Sequence, residues 1–432
     1  MSSDEQFLDR RAFISRLALA SGASLGASAA LSGCATTTAP AQSDVLSYAG
    51  PTVSGTCHRN FLAVANAFHD RFAEGKEIGA SLCIYHRGAA MVDLWGGIAD
   101  AQTGAGWERD TVATLMSTTK GLTYTCIHLL AQRGRIDLDA PVASYWPEFA
   151  AHGKSKISVR SLMAHRGGIP ALDRPVGYRQ LLEWEPVIEA IADQTPLWEP
   201  DTAHGYHPLT TGWALSEIIR RVDGRRAREF FAQEIAQPLS LNLSIGNRDP
   251  QRRIARMAPP GASLADGMER FYAAMGDPSS IPARSFSTPQ LPEYNLNSPE
   301  THALEMPSGN GMGDASSLAK LYASLIGAVD GERLLSQTTT EAAMIPQASG
   351  DDLVVLLRTD FASGYALPGG PLFASCPPGS FGHGGAGGSL GFADPSHELA
   401  FGYVMNQMSP GLGATGRTTQ LIAAAYDAIT GR

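Results

Sequence analysis

The chain has 432 residues, 44% of them hydrophobic and only 17% charged, with 46 glycines and 27 prolines. That composition excludes a disordered chain or an extended coiled coil and suits one large or two closely packed domains with many ordered turns. The 33 basic and 42 acidic residues leave a net charge of -9, and no basic stripe interleaved with aromatics runs through them, which argues against a nucleic-acid partner.

In chain order, the first segment reads as an address rather than part of a fold. Arg10-Arg11 precedes an apolar, Gly- and Ser-rich run over residues 17–31, closed by Leu31-Ser32-Gly33-Cys34. A membrane-spanning helix needs about 20 strongly apolar residues, which this run does not supply. Residues 1–34 look like a twin-arginine export signal ending in a lipoprotein box. Cys34 would carry the lipid and become the anchor of a periplasmic or outer-membrane lipoprotein, its one membrane association. Residues 35–50 then read as a flexible tether and residues 51–432 as the folded domain.

Within that domain, apolar positions at helical spacing predict an amphipathic helix over residues 59–72. Residues 78–85 and 89–95 are β-like runs around His86-Arg87-Gly88, which predicts an antiparallel hairpin. A largely apolar helix is predicted within residues 111–130, stopped by Arg133-Gly134. Residues 137–248 read as mainly helical, and residues 259–307, rich in Pro, Ser and Asn, as either a large loop region or an insertion near a site rim. Strands are predicted at 353–357, 364–367, 389–393 and 399–404, and a closing helix at 418–429.

The expected fold class is therefore α+β. An antiparallel sheet, built from about 51–110 and 350–432 and flanked by helices, carries a mostly helical lobe between its two halves. The cleft between sheet and lobe is the natural site. Cys57, Cys83, Cys126 and Cys376 have irregular spacing, which gives neither a metal-ligand pattern nor a disulfide framework. Cys83 and Cys126 lie in apolar runs and read as core residues.

Ser117-Thr118-Thr119-Lys120 is an S-x-x-K tetrad, and the same spacing recurs at Ser317 and Lys320. Context separates the two. Ser117 opens the apolar helix after an extended run, whereas Ser317 lies on an ordinary amphipathic helix capped by Asp314. At a helix start the serine backbone N–H is free to meet an anionic oxygen, and the residue one turn later shares its face. A lysine there can orient the serine and, once buried enough to lose its proton, accept one from it.

Other patterns fail on context. Gly387-Gly388-Ser389-Leu390-Gly391 matches a G-x-S-x-G nucleophile elbow, yet Ser389 leads into a strand and His397 is the one histidine that follows. Gly382, Gly384 and Gly387 have dinucleotide-fingerprint spacing without the helix or acid such a site needs. His204-Gly205-Tyr206-His207 lacks a third metal ligand.

Taken in order, Ser117-Thr118-Thr119-Lys120, Tyr206-His207-Pro208 and His383-Gly384-Gly385 make the sequence resemble the serine beta-lactamase and penicillin-binding superfamily, specifically its class C-like carboxylesterases, the family VIII esterases. The stretch from Ser158 to His165 and the pair Asp394-Pro395 add to the likeness, which spans about residues 55–428. It implies a beta-lactamase-like fold with no cofactor or metal. Ser117 would be the acylated nucleophile and Lys120 its activating partner. Tyr206 would match the tyrosine of the Y-x-N element, which passes the serine proton. His383-Gly384-Gly385 would match the K-T-G or W-G-G element lining the substrate cleft. The backbone N–H groups of Ser117 and Ala386 would form the oxyanion hole.

Two positions depart from that pattern. Pro208 stands where the element has asparagine, and His383 stands where beta-lactamases have lysine, which makes a fixed cation dependent on pH. Both departures favour a small-molecule ester over a beta-lactam. The expected function is carboxylic ester hydrolysis through an acyl-enzyme on Ser117. Beta-lactam hydrolysis, D-amino-acid amidase or peptidase activity and acyl transfer stay open, as does a non-catalytic lipoprotein that binds cell-wall peptides.

Overall fold

The computed structural model describes residues 44–50, 52–261, 265–287, 295–413 and 416–431. The expected export signal and the lipidated Cys34 lie outside these residues. The main sheet draws on both chain ends: β1 (Val45–Ala49), β2 (Val53–His58), β3 (Gly79–His86), β4 (Ala89–Asp100), β5 (Phe381–Gly384), β6 (Leu390–Asp394) and β7 (Leu399–Met405). Their spatial order is β1-β2-β4-β3-β7-β6-β5, with each neighbouring pair antiparallel.

β3 is buried from Gly79 to Tyr85 and β7 along its whole length. Strands covered on both faces carry near-continuous apolar runs, which is how these two read in the sequence. Helix α1 (Leu62–Ala73) packs with the C-terminal helix Thr419–Thr430 on one face, and helix Ala315–Ile326 covers β3, β6 and β7 on the other. The alternation along β7 shows the two faces. Tyr403 donates to Glu77, which holds Arg71 of α1, while the adjacent Gly402 backs onto Ala315 and Ala319.

Several expectations change. β1 begins inside the segment read as tether: Val45 pairs with His58 and Ala49 with Ser54, because the outer edge of β2 offers unpaired backbone groups that an extended chain can satisfy. Residues 353–357 are not a strand but a turn, in which the Asp352 carboxylate accepts from the N–H groups of Val354 and Val355. The strands lie on either side, at Ala348–Asp351 and Arg358–Phe361. Of residues 364–367 only Ala366 makes a β-bridge, to Phe361 and Gly382. Residues 259–307 hold the helices Glu269–Met275, Ile281–Phe286 and Pro299–Ala303. Ser280 and Ser298 cap the last two with proline in the first turn, a start signal present in the sequence.

The helical lobe is organised around α2 (Thr119–Gln132), buried at every residue from Thr119 to Leu130. Its entrance is pinned by a small sheet of Ala113–Thr114, Gly311–Gly313 and Leu243–Ile245. The Leu115 N–H donates to the Gly311 carbonyl at 2.8 Å, and the Gly311 N–H donates to Thr119 Oγ1 at 2.7 Å. Cys57, Cys83, Cys126 and Cys376 are free and buried. Among the described residues no helix is long and apolar enough to cross a membrane.

Candidate active site

Ser117 sits in a single 3-10 turn, Met116–Thr118, between the strand Ala113–Thr114 and α2. Met116 has a positive φ of 48°. A side chain in the left-handed region costs about 1 kcal/mol or more and persists only where its surroundings hold it. The turn thus presents Ser117 at the mouth of the buried helix.

Lys120 lies one helical turn further on, fully buried. Its Nζ donates to the carbonyls of Pro208 (2.6 Å) and Ser308 (3.1 Å) and stands 4.7 Å from the centre of the Tyr206 ring. Burial holds its pKa well below the usual lysine range. In its uncharged form the amine has two N–H bonds and one lone pair, and the two carbonyls would satisfy both N–H bonds. The proline at the expected asparagine position therefore still supplies an acceptor, from its backbone.

Tyr206 is placed by its backbone as much as by its ring. Its N–H donates to both oxygens of Asp352, at 3.0 and 2.9 Å, and its ring stacks on Phe361 with centroids 6.1 Å apart. The Ser117 hydroxyl interacts with the phenol, whose pKa is raised by burial, so the ring carries a neutral O–H. Asp352 also accepts from the Thr359 hydroxyl at 3.1 Å. Sequence reasoning missed this aspartate, and its one local signal was an acid heading an apolar turn.

The histidines of the rejected metal pattern fix the same loop. His207 Nδ1 lies 2.6 Å from the Gly205 carbonyl, its Nε2 accepts from the Ile169 N–H at 3.0 Å, and its backbone N–H donates to His165 Nδ1 at 3.1 Å. His204 Nε2 lies 2.9 Å from Thr359 Oγ1.

His383 packs against Tyr206, with ring centroids 6.1 Å apart. Its Nδ1 is 2.6 Å from the Gly384 carbonyl and so carries the proton, while its buried Nε2 has no partner among the described residues. Burial and the nearby Lys120 push its pKa down to about 3. This corrects the expectation of a pH-conditional cation. Near neutrality His383 is an uncharged ring whose Nε2 lone pair is buried.

Gly385 lies tight against the Ser117 turn, where a Cβ would come within 2.3 Å of both the Leu115 carbonyl oxygen and Ser389 Oγ. Only glycine permits that approach. Among the described residues, the backbone N–H groups of Ser117 and Ala386 are not engaged in the surrounding backbone hydrogen bonds. The S-x-x-K turn, Tyr206 and the His383-Gly384-Gly385 strand end therefore converge. The second S-x-x-K pair does not join them, since Ser317 Oγ accepts from the Asn242 N–H and Lys320 pairs with Asp330.

Residues 64–425 match the family model described as Beta-lactamase. The chain is 34% identical over 383 residues to the Esterase/beta-lactamase LipL of Mycobacterium tuberculosis, covering 83% of this chain and 84% of that protein. A penicillin-binding protein homologue from Caulobacter crescentus superposes with a TM-score of 0.79 at 33% identity, covering 87% of this chain and 99% of the other. A family VIII carboxylesterase superposes with a TM-score of 0.78 at 35% identity and the same coverage.

Proposed function

The chain belongs to the beta-lactamase family, and on that premise we propose that it is a carboxylic ester hydrolase working through an acyl-enzyme on Ser117. The observation that carries this reading is the buried Lys120 amine beside Tyr206, whose hydroxyl meets Ser117. Esterase names among similar proteins, and a family VIII carboxylesterase among similar structures, support it.

Ser117 Oγ attacks the ester carbonyl carbon. Its proton passes to the Tyr206 oxygen while the Tyr206 proton moves to the neutral Lys120 amine. The N–H groups of Ser117 and Ala386 receive the carbonyl oxygen as it gains charge, a contact for which each donor is worth about 3 kcal/mol. When the intermediate collapses, Lys120 returns its proton through Tyr206 to the departing alkoxide. Water then repeats the sequence on the acyl group and releases the acid. A tyrosine with a raised pKa is a poor anionic base, so Lys120 is the base and Tyr206 the relay.

The cleft favours neutral esters because His383 offers no cation for a carboxylate and Pro208 offers no side-chain amide. Each missing polar contact is worth about 1–3 kcal/mol, so kcat/KM for a short-chain p-nitrophenyl ester should exceed that for penicillins or cephalosporins by about 100-fold. An equal or higher value for a common beta-lactam would put the second reading first, as the double name of the M. tuberculosis relative allows. Ser117→Ala should abolish turnover and covalent labelling, while Ser317→Ala keeps both. Arg10-Arg11 and Cys34 support export and lipid anchoring. Intact mass of membrane-extracted protein should show diacylglycerol on Cys34, and a soluble chain retaining Met1 would contradict it.

A further inference from the structure

Ser389, the serine of the G-x-S-x-G pattern, is wholly buried and touches the chain on both sides of the nucleophile. Its hydroxyl donates to the Leu115 carbonyl at 2.7 Å and lies 3.0 Å from Thr118 Oγ1. With the Ser389 proton directed at Leu115, Thr118 is the donor, its one proton shared between Ser389 Oγ and the Ser389 carbonyl oxygen at 3.2 Å. The Ser389 carbonyl accepts from the Gly385 N–H at 2.8 Å.

Leu115 and Thr118 bracket Met116-Ser117, and Gly385 immediately precedes Ala386. One residue therefore ties together the two segments that carry the Ser117 and Ala386 N–H groups. We propose that Ser389 is a positioning residue that sets the separation of these two oxyanion donors; this rests on the acyl-enzyme reading above. The Met116 turn, at a φ of 48°, needs an external tie to hold its shape, and the bond to its preceding carbonyl supplies one. The glycine turn is held from its other side as well. Gly387 accepts from the Ser409 N–H at 2.8 Å, and Arg417 Nε donates to Ser409 Oγ at 2.7 Å. Ser389 is thus the adjustable link between two anchored pieces, and its loss moves one N–H relative to the other.

The test compares Ser389→Ala and Thr118→Val with the parent protein by kcat and KM for p-nitrophenyl butyrate, affinity for an alkyl boronic acid, and thermal melting. The tetrahedral boronate on Ser117 places an oxygen between the two N–H groups, so its affinity reads their alignment directly. A misplacement of about 1 Å costs about 100-fold, so kcat in Ser389→Ala should fall by about that factor, with boronate affinity falling in parallel. KM should stay within about 3-fold. Thr118→Val, which removes one of the two ties, should lose about 10-fold in both readings.

A folded Ser389→Ala protein with kcat and boronate affinity within about 3-fold of the parent overturns the proposal, as does a change confined to KM. Should Ser389→Ala not fold, full activity and boronate affinity in Thr118→Val overturn it instead. A parent protein that binds boronate without hydrolysing esters ends the esterase reading, and boronate affinity then decides the clamp alone. Absence of boronate binding to the parent overturns both.

Discussion

A buried lysine without a carboxylate partner costs folding free energy, because its charged form is stripped of water. The unfolded chain keeps a lysine protonated up to about pH 10.4, whereas burial makes the folded chain release the Lys120 proton at lower pH. Across that window the unfolded state holds more protons, so the penalty is full at low pH and fades as pH rises. Lys120→Met should therefore raise the melting temperature most at and below neutral pH. The gain should shrink toward about pH 10, and ester turnover should be lost at every pH. A gain independent of pH would mean that Lys120 is charged in the fold. Tyr206→Phe removes the oxygen proposed as proton relay and little volume, while the Asp352 contact is to the backbone and survives. A fall in kcat of about 100-fold with little change in melting temperature is expected, and near-parent turnover would remove Tyr206 from the proton path.

At the scale of elements, the β3–β4 hairpin tests how far local rules carry. Its turn residues Arg87 and Gly88 have φ of 52° and 76°, the two positive values that a tight hairpin demands. Glycine meets that demand freely, and asparagine meets it better than arginine. Arg87→Asn should gain about 0.5 kcal/mol, since the ion pair with Glu398 that it removes is exposed and worth little. Gly88→Ala should lose about 1–3 kcal/mol, because its Cβ would approach the Ala328 carbonyl oxygen at 2.4 Å. Neither should alter kcat, since the strand register puts this turn at the sheet end away from Gly384 and Leu390. Chemical denaturation of both variants beside an esterase assay would check the pair.

For the whole molecule, the lobe-and-sheet arrangement buries histidines as neutral rings. His128 is pushed down to about 4, and His207 and His383 to about 3, by burial. In the unfolded chain each would take a proton near pH 6.5. The unfolded state therefore binds protons that the fold refuses, and stability falls as pH drops below about 6.5. At pH 5 each such ring costs about 2 kcal/mol, a large share of the roughly 5–15 kcal/mol that holds a domain together. The urea midpoint should drop steeply between about pH 7 and 5, and His128→Gln, which keeps a donor for the Ser363 carbonyl, should flatten the profile. A midpoint unchanged over that range would mean that these rings are protonated or wet in the native state.

The amino-acid sequence by itself determined what local spacing controls. Ser117 and Lys120 fall on one face because they are three apart at a helix start, the hairpin turns where Arg87-Gly88 allows positive φ, and the central strands and α2 announce their burial by apolar runs. Only the tertiary structure decided the rest, because the deciding contacts join residues far apart in the chain. Asp352 reaches the Tyr206 backbone across 146 positions, and Ser389 reaches Leu115 across 274. Burial in a closed interior shifts Lys120 toward its uncharged form, and the Gly384 carbonyl directs the His383 proton to Nδ1. Protonation and tautomer follow the local dielectric and the available partners, and both arise only when separate segments are packed together.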